Sequence, residues 1–191
     1  LDLTLLSLMP LLLASLSAIL TSYFFFGSDT ILPFELKDAF TIGDFPYYMI
    51  LGVVAGLVSV YFSKAYFKTS KLYKRWGSAL VRLLVAGGSL GILLFLIPPL
   101  YGEGFDMINE LLDGKAVNAL GETFFNDYLD NVWVVIALLA GLVFFKVIAS
   151  AITFAGGGIG GIFAPVLFMG SVMGNCLAKI INNLGLNGVY I

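Results

Sequence analysis

Long apolar runs alternate with short charged ones along this chain. Residues 3–28 carry no charge, and neither do 45–63 and 83–102; 131–155 is interrupted only by Lys146, and 162–178 is again free of charge. A helix needs about 20 apolar residues to cross a hydrocarbon core of roughly 30 Å, so each run is predicted to form a membrane-crossing helix or most of one. The runs are too long for strands and show no period-two alternation. Pro98 and Pro99 mark the end of the third run. Between 103 and 130 the chain turns polar, and EGFDMINELLDGKAVNAL (103–120) reads as a short amphipathic or re-entrant helix rather than a span.

Composition supports this pattern. Of 191 residues, 60% are hydrophobic and 12% charged, about half the charge of a soluble domain. The mean hydropathy is +1.00. The expected fold class is therefore all-α, a polytopic membrane protein. There is no His, and Cys176 is the single cysteine, which leaves no disulfide framework, no cysteine or histidine metal cluster and no histidine-based acid–base chemistry. No basic surface suits nucleic acid. No catalytic residue, metal or cofactor is expected, and the chain is not read as an enzyme. It starts with Leu1, almost at once in an apolar segment, and is read as a piece of a longer protein. No cleavable signal pattern is visible.

The charges sort by region. The acids lie at Asp2, in 29–44 and in 103–130, whereas six of the ten basic residues lie in 64–82, which has no acid. An excess of Lys and Arg in a short loop marks the cytoplasmic side. Loop 64–82 is therefore placed in the cytoplasm and loops 29–44 and 103–130 outside. The first three spans then run inside to outside, outside to inside, and inside to outside. A solvated basic helix end without topological meaning is the alternative. Lys146, alone in its apolar run, is read as snorkelling to the cytoplasmic interface, with a functional role as the alternative.

The longest charge-free stretch contains GGGIGGIFAP (156–165). Gly156-x-Gly158-x-x-Gly161 matches the dinucleotide fingerprint, but that motif needs a preceding strand and an acid about 20 positions on, and no acid follows Asp130. Gly87-Gly88-Ser89-Leu90-Gly91 matches a nucleophile elbow, but without a histidine base it reads as a small-residue helix-packing face. The physical reading of 156–161 is a break inside the membrane. Glycine admits unusual dihedrals and close approach, and irregular backbone at membrane depth is tolerated only where protein or a water-filled cavity surrounds it. A new helix is predicted to start near Ile162. Its first-turn N–H groups lack partners, and the aligned dipoles place about half a positive charge there, an anion site without a charged side chain. Pro165 suits the first turn. A glycine-mediated helix crossing with no ligand remains the competing reading.

GGIFAP (160–165), followed by VLFMGSVMGNCLAKII, resembles the G-x-F-x-P signature of the CLC family of chloride channels and chloride/proton antiporters, with Gly161, Phe163 and Pro165 at the motif positions. TFAGGG (153–158) is similar to the small-residue segment before that motif in bacterial members. The order of segments also resembles the family: 4–26 its helix I, 45–75 J, 77–98 K, 104–114 L, 128–155 M and 162–183 N. The resemblance implies that residues 1–191 are a fragment of a single CLC-type transmembrane domain, part of an inverted-repeat helical fold with broken and re-entrant helices. It implies transport of chloride or a similar small anion, as a channel or an exchanger, with the short loops leaning toward an exchanger. The anion site implied is Gly161, Ile162, Phe163, Ala164 and Pro165, with the backbone N–H groups of Ile162 and Phe163 on the ion and Gly161 permitting its approach. The family's serine-bearing motif, gating glutamate, inner glutamate and late tyrosine are expected outside this chain. Homodimerisation through the first helix is implied too, and the bilayer is the other partner. Ile159 stands where a proline is usual. A non-transporting scaffold whose glycines only pack helices is the alternative function.

Overall fold

The computed structural model describes residues 5–27, 32, 41–121, 129–158 and 160–185. The described elements are helical: α1 (Leu5–Phe26), α2 (Phe45–Tyr73), α3 (Ala79–Leu96), α4 (Phe105–Leu112), α5 (Ala116–Leu120), α6 (Val132–Gly156) and α7 (Phe163–Asn183), with 3-10 turns at Ile42–Asp44 and Pro98–Leu100. Among the described residues five helices are long and apolar enough to cross a membrane, namely α1, α2, α3, α6 and α7. The all-α, multi-span architecture expected from the apolar runs is the one found.

The chain divides into two units, Leu1–Pro33 and Phe34–Ile191. The first unit contains α1. Its described side chains from Leu8 to Phe26 are all exposed, and a helix apolar on every side matches hydrocarbon or an apolar protein surface. Pro10 sits inside this helix. Gly27, at φ +71°, ends it by donating its N–H to the Tyr23 carbonyl at 2.9 Å, a left-handed stop that glycine makes at little steric cost.

In the second unit α6 is the central helix, packed against α2, α3, α5 and α7. Asn131 caps it, its side chain accepting from the Trp133 N–H at 2.9 Å. Leu139 and Val147 of α6 and Phe168 and Val172 of α7 are fully buried, and the two helices pack on each other. α4 carries Met107, Ile108 and Leu111 on its buried face and packs on α7; the amphipathic stretch expected over 103–120 is present as two short helices, α4 and α5, parted at Gly114 with φ +79°.

The structure differs from the sequence reading at two packing details. The basic segment 64–82, labelled a loop from its charges, is mostly helix, in line with the resemblance at 45–75 and 77–98: α2 continues through Lys64, Lys68 and Lys71 to Tyr73, and α3 begins at Ala79. Lysine is a good helix former, so the helix outlasts the apolar run and only Lys74–Ser78 is non-helical. Gly87, Gly88 and Gly91 pack against nothing among the described residues. A Cβ on any of them would meet none of the described residues within 4 Å. The close contact falls one residue earlier, at Ala86, whose Cβ lies 2.5 Å from where a Cβ on Gly156 would be. Ser89 turns to Tyr73, with hydroxyls 2.8 Å apart.

This contact gives a stability prediction. Gly156→Leu forces α3 from α6 and is expected to lower stability by about 1–3 kcal/mol, the usual range for overpacking. Gly156→Ala paired with Ala86→Gly is expected to recover most of the loss shown by Gly156→Ala alone. Thermal midpoints in detergent check both.

Candidate anion site

The predicted break is present. α6 ends at Gly156, and Gly157 takes φ +103°. The Gly157 N–H donates to Phe154 O at 3.2 Å and the Gly158 N–H to Thr153 O at 2.9 Å, the paired bonds of a Schellman stop. Two glycines are required here for distinct reasons. Gly157 needs the left-handed dihedral, and a Cβ on Gly158 would lie 2.8 Å from both Cγ2 and the carbonyl oxygen of Thr153. Ile159 lies outside the described residues. α7 then starts at Phe163, with Ile162 as its N-terminal flanking residue at φ −81° and ψ −9°, and the first intrahelical bond runs from the Val166 N–H to Ile162 O at 3.1 Å. Helix geometry supplies no acceptor for the N–H groups ahead of Val166. Pro165 has no N–H to orphan.

A cavity of about 530 Å³ lies in front of this helix end. Four of the five nominated residues line it: Gly161, Phe163, Ala164 and Pro165. Ile162 does not; its side chain is exposed. α6 contributes Lys146, Ser150 and Thr153 to the wall, α3 contributes Leu90 and Leu94, and the segment after α3 contributes Leu100, Gly102 and Glu103. The cavity is thus walled by apolar side chains, the N-terminus of α7 and a few polar groups. Such a place can hold a small anion by dipoles and backbone donors.

Lys146 corrects the sequence reading. It does not snorkel. It is 3% exposed, and its ammonium donates to Leu100 O at 3.1 Å and Gly102 O at 2.9 Å. The nitrogen also lies 4.4 Å from the centroid of the Phe168 ring. These carbonyls follow Pro98 and Pro99, at the opposite end of α3 from the basic segment. The carbonyls freed by the proline-rich turn accept the buried charge there, so it need not reach an interface. Gly104, at φ +82°, is where the chain passes the Phe168 ring, which occupies the space a Cβ would need. No signal in the sequence joins residues 100–104 to Lys146 and Phe168, because each pairing spans more than 40 positions. The one legible hint is a lone cation within an apolar run.

The fold and site define a class: a multi-span helical membrane protein in which two span-length helices are joined by a glycine-rich break, the second of them starting on a cavity. The family follows. The model of the family described as "Voltage gated chloride channel" matches residues 1–190, and the chain belongs to that family. It is 32% identical over 163 residues to chloride channel protein CLC-f of Arabidopsis thaliana, covering 80% of this chain and 19% of that protein. It is 30% identical over 132 residues to the H(+)/Cl(-) exchange transporter ClcA of Yersinia pestis, covering 66% of this chain and 24% of the transporter. The chain spans about a fifth to a quarter of the length of these curated relatives. No solved structure matches it with significance.

Proposed function

We propose that the whole protein moves chloride or a similar small anion across the cell membrane, as a channel or a chloride/proton exchanger, and that this chain contributes one half-helix of the anion site. Gly161 lets the ion approach, the N–H groups of Ile162, Phe163 and Ala164 face it, and Pro165 shapes the turn. The observation that carries this reading is the glycine-terminated α6 followed by a fresh helix start on a cavity. Partial charges on N–H groups attract an anion weakly enough to release it, and a broken helix is a general pointer to a transport site. The relatives' names, one a chloride channel and one an exchanger, accord with either mode. On this reading Lys64–Arg82 faces the cytoplasm, the acidic segments face outward, and α1 serves a homodimer interface.

The scaffold alternative assigns the glycines to packing alone. Gly156 does pack on Ala86, but Gly157 takes φ +103° with no described residue near its Cβ position, which favours a stop over a crossing.

Vesicles reconstituted with the full-length protein test the reading. Chloride efflux well above that of empty vesicles is expected, and flux no greater than in empty vesicles rejects it. Because backbone makes the contacts, Phe163→Leu is expected to hold chloride affinity within about threefold, well short of the tenfold that 1.4 kcal/mol represents. A loss beyond tenfold would move the contact from backbone to the ring.

A further inference from the structure

Lys146 carries a charge that its neighbours do not cancel. An ammonium has three donors. Two reach neutral carbonyls, those of Leu100 and Gly102, and the ring face of Phe168 adds only a quadrupole. Among the described residues no carboxylate lies within ion-pair distance of it; the ion pair found is Lys115–Asp113, at the surface. Glu103 lines the same cavity, but its side chain is exposed. A buried cation without a counter-charge is unfavourable, and this one lines the cavity onto which the first turn of α7 opens.

We infer that Lys146 is a specificity-determining residue for anion occupancy: a small inorganic anion in this cavity completes its charge balance, and its charge sets how strongly the ion is held. This inference rests on the reading that the 160–165 helix start attracts an anion. The arrangement also explains how a full charge can serve without trapping the ion. The Leu100 and Gly102 carbonyl dipoles point their negative ends at the ammonium and offset part of its field, so the ion meets a weakened cation backed by N–H dipoles. A bare lysine in lipid would hold a counter-ion far more strongly.

Chloride binding by calorimetry to the full-length protein tests this, with wild type, K146R, K146Q and I162P. Glutamine can still donate to the carbonyls but lacks the charge, so K146Q separates charge from clamping. K146Q is expected to weaken chloride binding about tenfold or more, and K146R, which keeps the charge, to recover most of the affinity. Wild-type affinity in K146Q, with loss in I162P, would overturn the role of Lys146 and leave the helix-start reading standing. Absence of chloride binding in wild type would instead overturn that reading and this inference with it. Should K146Q fail to fold, anomalous scattering from bromide in crystals of the wild-type protein decides. A peak in the cavity between Lys146 and Gly161 supports the inference, and bromide found only elsewhere overturns it.

Discussion

Replacing Ile162 with proline is expected to weaken chloride binding to the full-length protein by about 10–100-fold while leaving the fold intact. The size follows from one hydrogen bond to a charged group, about 1.5–3 kcal/mol, at roughly tenfold per 1.4 kcal/mol. Three features make the position suited to the test. Ile162 has φ −81°, close to the angle that the proline ring imposes. It stands just before the first helical residue, where helix geometry gives its N–H no intrahelical acceptor. Its side chain is exposed and does not line the cavity, so losing the isoleucine side chain removes little packing. What proline deletes is the N–H. Isothermal titration with chloride reads the affinity, and an unchanged thermal midpoint in chloride-free detergent shows that the helix start survives. Wild-type affinity in the proline variant would remove the backbone-donor account of this site, whatever the transport activity.

The break between α6 and α7 was legible because its cause is local. Gly157 takes a dihedral that other residues adopt only with strain, and Gly158 sits against the turn just before it, so the glycines themselves carry the signal. The spans were legible for a similar reason: each needs only its own apolar length. What was hidden depends on partners far along the chain. Nothing near Lys146 announces that the carbonyls of Leu100 and Gly102 wait for it, and an ammonium within an apolar run reads by default as bound for an interface. The glycines of α3 misled in the opposite way. A small-residue stripe marks a possible close approach, yet the helix rotation that decides which small residue is used comes from α6, and it selected Ala86. The helical stretch past Lys64 is legible only through the resemblance at 45–75, because charge sorting marks where the hydrocarbon ends and not where the helix does.

Phe168→Ala is expected to lower the stability of the folded chain by about 2–4 kcal/mol, the largest loss from any single truncation in this core. Full burial of a phenylalanine gives about 3–5 kcal/mol on truncation in soluble proteins, part from transfer out of water and part from the cavity left behind. In a membrane the transfer part shrinks, since lipid is as apolar as the core, but the cavity part stays. Phe168 is 0% exposed, and its surroundings are poorly able to collapse. Gly104 holds the loop after α3 against one edge of the ring, and Lys146 lies over its face at 4.4 Å. Removing the ring therefore takes away packing, the contact that locks the Gly104 turn, and about 1–2 kcal/mol of cation–π attraction at a desolvated site. The last term is separable. In a double-mutant cycle with Lys146→Met, the two losses are expected to be less than additive, since residues in contact share an interaction energy. Thermal midpoints of the four proteins in chloride-free detergent measure it. Strict additivity would mean that ring and ammonium are neighbours without being partners, and that the two carbonyls alone hold the charge where it is.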